Sequence, residues 1–440
     1  MEAYFNDLSS ALYRTLPSKD KLFCWFSGER SDFVRFNEGK IRQAGSVDQA
    51  IVKIQLFHGQ RQATAEQTLT GNLDTDCKAL SASLEELRTI LEDLPDDPFL
   101  LFNPEPLESR MIREGKLPPA PEMAAEVVMA NRHRDLVGFL ASGPIYRGLS
   151  SSLGHRCWHE VTNFLLDYSV YLRDDQAIKD SLAGFSWDSH TVRKRLEDAA
   201  QRLDLLARPV CPIRPGRYRV YLAPAALSEI FGLLGWSAFS AKALRTKQSP
   251  LVRLQEGEQV LSSKVTLQEN IAEGLAPAFQ GEGFARPGRL PLIEAGRFAG
   301  SLVSPRTARE YGTSTNGASS GEVPEALDMA GGDLPQGKVL QALGTGLWVN
   351  HLWYLNYSDR GAGRMTGMTR FATFWVEGGE IMAPTPAMRF DDSLYDLFGK
   401  RLEALTVERE FFPEPTTYGE RQTASVRLPG ALIDGLTLTL

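Results

Sequence analysis

The leucines Leu80, Leu84, Leu87 and Leu91 recur at helical spacing and predict a long amphipathic helix from Asp74 to Asp93, stopped by Asp96-Asp97-Pro98. Residues 1–17 pattern as a short amphipathic helix. Strand-like runs lie between the two, at Leu22–Phe26, Asp32–Asn37, Lys40–Ser46 and Gln49–Phe57. Asn37-Glu38-Gly39 is the turn of a hairpin, with Gly39 supplying the positive φ. Ala50–Phe57 alternates apolar and polar residues, as a strand with one wet face does. The Pro-rich stretch 103–121 reads as a loop, and Glu122–Leu140 as a second helix. Strands resume at Pro144–Ser150, His155–Phe164 and Asp167–Tyr171, and Asp188–Leu206 is a third long helix.

Three prolines and a glycine between Arg208 and Gly216 then interrupt every pattern, so a domain boundary is expected there. Beyond it, Val220–Leu222 is strand-like, and Pro224 opens an apolar helix expected to run from about Ala225 to Ala241. Gly and Pro punctuate 280–337. Strands are predicted at Asn350–Tyr357, Thr366–Glu377 and Glu380–Met382, a helix at 392–405, and a last strand pair from Ala424. Helices and antiparallel strands are segregated along the chain, not alternating, which predicts an α+β fold. The expected organisation is a 1–207 domain of helices plus antiparallel sheet and a strand-rich 217–440 domain.

Composition narrows the function. The chain has 440 residues, 42% hydrophobic and 23% charged, with a net charge of −7. That length favours two domains. The acidic balance and the lack of a dense basic patch argue against nucleic-acid binding. No apolar run approaches the ~20 residues that span a membrane. The four cysteines, Cys24, Cys77, Cys157 and Cys211, are scattered without C-x-x-C spacing. Together with an amphipathic N-terminus unlike a signal peptide, they lead us to expect the cytoplasm.

Several motifs bear on chemistry. His155, Cys157 and His159 alternate, so a strand would point all three to one side as a two-nitrogen, one-sulfur metal face. Set against this is an ordinary packed strand. Gly317-Ala318-Ser319-Ser320-Gly321 matches G-x-S-x-G, but the small-residue surroundings favour a loop over a nucleophile elbow. Gly361 to Gly367 lacks dinucleotide-binding spacing. Trp348, Trp353, Tyr354 and Tyr357 form an aromatic group suited to core, interface or ligand stacking.

Five segments taken together resemble the TldD/PmbA (TldE) family, once labelled modulators of DNA gyrase. They are Ser31–Ile41, Gly148–Gly154, Leu222–Ser249, Pro305–Gly312 leading into Ser314–Ala318, and Gly344–Gly379 with Glu380-Ile381 after it. Their order and spacing match across nearly the whole chain. The resemblance implies a division of labour. TldD-type chains carry His-Glu-x-x-x-His and a later Cys, and bind zinc. PmbA/TldE-type chains lack these and pair with a TldD-type chain, in a peptidase for unfolded or short peptides. At the matching positions this sequence reads Gly232, Leu233 and Ser237, and no Cys follows Cys211. None of the three is a usual zinc ligand or general base.

The resemblance therefore implies a non-catalytic, TldE/PmbA-like subunit with no cofactor of its own. Zinc is expected in a TldD-type partner, and peptide is the expected substrate. Thr315, Asn316, Gly317, Thr366 and Gly367 are the candidate peptide groove, with strands 350–382 open to strand addition. The alternatives are a hydrolase using His155/Cys157/His159 or Ser319, and a homodimeric peptide-binding protein without a peptidase partner.

Overall fold

The computed structural model describes residues 1–174 and 176–439. The N-terminal half runs α1 (Glu2–Tyr13), β1 (Asp20–Asn37), β2 (Lys40–His58), β3 (Arg61–Thr68), α2 (Leu73–Asp93), β4 (Glu108–Arg113), α3 (Ala120–Ala130), β5 (Asp135–Ser151), β6 (Arg156–Arg173), β7 (Gln176–Gly184) and α4 (Ser189–Leu206). Its strands form one seven-stranded sheet, β3-β2-β1-β5-β6-β4, with β7 also on β6. Neighbours are antiparallel except β4 with β6.

The helices cover this sheet because their apolar stripes match its inward positions. Leu80, Leu84, Leu87 and Leu91 of α2 pack with Phe5, Leu8 and Leu12 of α1 on Leu22, Cys24, Phe26, Val52, Ile54 and Leu56. Met123 and Val127 of α3 and Val192, Leu196 and Leu203 of α4 cover Leu136, Leu140, Phe164, Leu166 and Val170. The starts of α2 and α4 are capped: Asn72 accepts from Thr75 N at 3.0 Å, and Asp188 accepts from Thr191 N at 3.0 Å.

From Gly216 the chain builds β8 (Gly216–Leu222), α5 (Pro224–Gly235), α6 (Ala241–Arg245), α7 (Val252–Gln255), β9 (Leu267–Glu269), β10 (Leu290–Glu294), β11 (Arg297–Phe298), α8 (Pro305–Tyr311), β12 (Ala326–Met329) and α9 (Val339–Leu343). It continues through β13 (Gly346–Asp359), β14 (Arg364–Glu377), β15 (Glu380–Pro384), β16 (Arg389–Ser393), β17 (Leu402–Pro413) and β18 (Ser425–Leu438). Among the eleven strands of this sheet, β8, β13, β14, β16 and β18 close on themselves, since β18 pairs with both β16 and β8. Helix α5 packs against β8, β13, β17 and β18. Leu227, Ile230, Phe231 and Leu234 join Val220, Leu347, Val349, Phe390 and Ile433 in the largest apolar core. The fold is α+β, with a helix-covered N-terminal sheet and a strand-rich C-terminal part.

Several elements differ from expectation. The short runs at 22–37 and 40–57 are single strands of 18 and 19 residues. The expected helix 122–140 stops at Ala130, and β5 begins at Asp135. The expected loop 103–121 contains β4. The expected helix 392–405 is the end of β16, a single wide turn at Asp396–Lys400 and the start of β17. The expected final strand pair is one strand, β18, lying against β17.

The halves are tied by two C-terminal segments. Residues 270–286 lie on the N-terminal sheet, where Arg113 donates to the carbonyls of Ala272 and Gly274 at 2.9 and 3.1 Å. The strap between β17 and β18 inserts Arg421, which is 5% exposed and donates to Ser31 Oγ, Gly143 O and Asn163. Burial pushes this guanidinium down to about 10. No helix among the described residues is long and apolar enough to cross a membrane.

Candidate functional site

Helix α5 begins as expected at Pro224 but ends at Gly235, six residues before Ala241. Two glycines within four residues weaken it. Ser237 sits at φ +71, in the left-handed region, so the helix cannot continue through it. Ser240 then caps α6, accepting from Ala243 N at 3.1 Å. Ala238 and Phe239 still reach the core at 0% exposure, but from a turn. The apolar run that predicted a longer helix is a core signal, not a helical one.

The three positions read from the sequence therefore have different fates. Gly232 is exposed, with open space where a side chain would stand. Leu233 is buried in the core at 4% exposure. Ser237 lies beyond the helix.

One face of α5 borders a cavity of about 590 Å³. Ser228, Glu229 and Gly232 line it from the helix, Trp236 from the turn that follows, and His351 and Leu355 from β13. Asp167 and Lys179 contribute from the N-terminal sheet, Phe412 and Pro413 from the end of β17, and Glu414 and Pro415 from the start of the strap. The site thus needs both halves of the chain.

Its polar groups are set by their neighbours. Lys179 Nζ is neutralised by Asp167, at 2.8 and 3.0 Å from the two carboxylate oxygens. Glu229 makes no hydrogen bond or ion pair among the described residues; desolvation raises its pKa, the nearby Lys179 opposes the rise and Glu414 adds a smaller increment to it. His351 is 8% exposed. Asn350 Nδ2 lies 3.0 Å from both His351 Nδ1 and Lys179 O. An amide donating to Nδ1 leaves the ring proton on Nε2. Burial, reinforced by Lys179, pulls this histidine down to about 3, so it is neutral.

The other candidates lie elsewhere. His155, Cys157 and His159 do share one side of β6 and its entry, as alternation requires. That side is covered by the 270–286 segment. His159 Nε2 bonds Leu275 O at 2.8 Å, Cys157 packs with Phe279, Phe23 and Leu149, and His155 Nδ1 bonds Ser151 Oγ at 2.6 Å. Burial holds His159 down at about 4 and pushes the Cys157 thiol up to about 12. The three make separate contacts between the two halves of the chain.

Thr315, Asn316 and Gly317 sit in a loop bonded to Val303 and Ser301. Thr366 and Gly367 lie on β14, which has β13 on one side and β16 on the other, so no peptide can add there. None of the five borders the large cavity. The free strand edge in this region belongs to β13. Its pairing with β8 ends at Val349, and no strand flanks 350–359 on that side among the described residues. Among the described residues no strand leads directly into Ser319 and no helix directly follows it. The aromatic group splits: Trp348 packs on Tyr221, Tyr357 donates to Leu233 O at 3.2 Å, and Trp353 and Tyr354 are exposed.

Zinc does not fit the cavity's donors. Glu229 and Glu414 have no cysteine beside them in the cavity lining, Asp167 is engaged by Lys179, and His351 has one ring nitrogen occupied. Among the described residues no three His, Cys, Asp or Glu side chains are grouped as a metal would need. Glu229 had one visible signal in the sequence, as the only charged residue between Pro224 and Gly235. His351, Lys179 and Glu414 had none.

Residues 215–440 match the family profile described as PmbA/TldA metallopeptidase C-terminal domain. The chain belongs to the PmbA/TldD family. Over 184 residues, 41% of this chain, it is 30% identical to the metalloprotease PmbA of Escherichia coli O157:H7, and that stretch spans 38% of the relative's length. The fold matches TldE from Thermococcus kodakarensis with a TM-score of 0.79 at 18% identity, covering 99% of this chain and 100% of that one. It also matches a Thermotoga maritima structure named for modulation of a DNA gyrase, with a TM-score of 0.77 at 16% identity over 100% of both chains.

Proposed function

We propose that this chain is a peptide-binding, non-catalytic subunit of a zinc-dependent peptidase whose metal is held by a TldD-type partner. The observation that carries the reading is the state of α5. A His-Glu-x-x-x-His template at Gly232, Leu233 and Ser237 would carry its last position past the end of α5, into a turn at left-handed φ. Moved four residues toward the N-terminus, it covers Ser228, Glu229 and Leu233. All three lie on α5 and border the cavity. In that register the carboxylate remains, and the two histidine positions hold a serine and a leucine, neither a usual zinc ligand. The cavity persists without the donors that would make it a metal centre.

A space of this size suits a few residues of extended peptide. The unpaired edge of β13 beside it offers backbone groups for strand addition. In this reading the chain works in the cytoplasm on unfolded or short peptides. The test is reconstitution. The chain alone is expected to leave denatured casein intact, and a TldD-type chain is expected to copurify with it and to cleave faster in its presence. Chelator-sensitive hydrolysis by the isolated chain would reject the reading.

A further inference from the structure

Strand β13 carries an aromatic and cationic track that backbone pairing along its edge does not explain. His351 on β13 and Arg370 on β14 are directly opposed, and the register holds through Trp353 and Met368. Arg370 and Trp353 are therefore diagonal neighbours on one face of the sheet. The Arg370 guanidinium lies 3.5 Å over the Trp353 ring and 5.0 Å from that of Phe371. Phe371 meets the His351 ring edge-on at 5.7 Å, and Trp353 meets Tyr354 at 5.8 Å. The track thus runs from a residue bordering the cavity to the exposed Tyr354. Two of its members are held in strained backbone. Phe371 and Tyr354 stand at φ +52 and +58, where the β13–β14 register shifts. Bulges re-aim side chains, and left-handed aromatic residues are outliers of the kind that collect at ligand clamps. Arg370 itself makes no hydrogen bond or ion pair among the described residues, whereas Arg364 on the same strand is paired with Asp391, and Arg401 with Asp392. Stacking occupies the face of a guanidinium and leaves its in-plane N–H groups free, in the fork that matches a carboxylate.

We infer that Arg370 is a carboxylate clamp for the peptide bound along β13, its guanidinium held flat on Trp353 and donating two N–H groups to an acidic group of that peptide. This rests on the peptide-binding reading and adds its charge selectivity. Lying over Trp353 carries the guanidinium from β14 onto β13, the strand whose edge is free from 350 onward. A peptide strand added there lies about 4.8 Å further out, so a carboxylate on the same face is within the fork's reach. Because the stack already restrains the arginine, little of its rotamer freedom is lost when the acid arrives.

The carboxylate has two sources, an acidic side chain or a free carboxyl terminus, and the probes separate them. Three heptapeptides with an amino-terminal fluorophore are titrated against the full chain by anisotropy at low salt. One is amidated with a central glutamate, one is amidated with a central glutamine, and one carries glutamine and a free carboxyl terminus. The expected result is binding roughly tenfold tighter or better for one of the two acidic peptides than for the neutral one. Arg370→Gln is expected to cut that preference to less than about threefold. Arg370→Lys, which keeps the charge but not the planar fork, is expected to do nearly the same. Lys194→Gln, the same loss of charge at an exposed position on α4, is expected to leave it unchanged. Equal binding of all three peptides by the wild-type chain would overturn the clamp and leave peptide binding standing. A preference that survives Arg370→Gln would overturn it as well. If that variant keeps the preference but loses copurification of a TldD-type chain, the track is a subunit contact and the clamp is again overturned. No binding of any peptide would overturn both the clamp and the peptide-binding reading.

Discussion

Adjacent residues on α5 are expected to respond in opposite directions, which tests the helix's orientation. Leu233 is 4% exposed and packed in the main core, whereas a methyl at Gly232 meets nothing within 4 Å. Leu233→Ala removes three buried carbons. At ~0.8 kcal/mol each this is about 2.4 kcal/mol of lost transfer energy, and the residual void brings the cost to roughly 3–4 kcal/mol. Gly232→Ala adds a side chain into open space at ordinary helical geometry and restricts the unfolded chain, so it is expected to stabilise by ~0.5–1 kcal/mol. Urea unfolding followed by circular dichroism and by fluorescence of Trp236, Trp348 and Trp375 reads both. With an m-value of about 3 kcal/mol/M, the Leu233→Ala midpoint falls by roughly 1 M and the Gly232→Ala midpoint rises by roughly 0.2–0.3 M. Equal losses, or a larger loss for Gly232→Ala, would refute the placement of the cavity on the Gly232 side.

Three further outcomes follow from local chemistry. Ser237 pays for a left-handed backbone that glycine adopts freely, so Ser237→Gly is expected to stabilise by ~1 kcal/mol in the same urea assay. Glu269 is buried with one oxygen unpartnered, and desolvation lifts it to about 7 from an ordinary 4.5. Its folded form holds the proton more tightly than the unfolded chain does, so its contribution to stability is fully present below pH 4.5 and is lost, by on the order of 3 kcal/mol, as pH rises to 7. Glu269→Gln is expected to flatten that slope and to converge with wild type near pH 4.5 in pH-resolved denaturation. Arg421→Ala strips the donors from Gly143 O and Asn163 at the buried join between the halves, and is expected to cost about 3–5 kcal/mol and to speed proteolysis at the exposed Tyr418.

What the sequence made legible followed the simplest periodicities. The leucine stripe of α2, the charged-and-alanine pattern of α4 and the proline that starts α5 each reflect one local rule; α2 and α4 lie where their patterns put them, and α5 starts where its proline does. Strands covered on both faces were harder. On β1, Leu22, Cys24 and Phe26 face the helices, while Phe23 and Trp25 face the 270–286 segment, so no clean alternation survives. Residues 392–405 carry helix-like spacing, yet Leu402 and Leu405 are strand residues that join the largest apolar core. The family resemblance directed attention to α5, but register along that helix depended on where it ends, which Ser237's backbone decides. The rest of the site is tertiary. Lys179 and His351 come from different halves of the chain, and no local pattern marks either. The alternation of His155, Cys157 and His159 did place them on one side, but alternation cannot tell a metal face from an interface.

The central claim is that α5 has lost its metal chemistry and kept its cavity. Zinc stoichiometry of the chain purified alone, by elemental analysis with no chelator in any buffer, tests it most directly. The account predicts well under 0.1 zinc per chain, because neither Ser228 nor Leu233 supplies the nitrogen ligand that a zinc site on α5 would need. About one zinc per chain would contradict it.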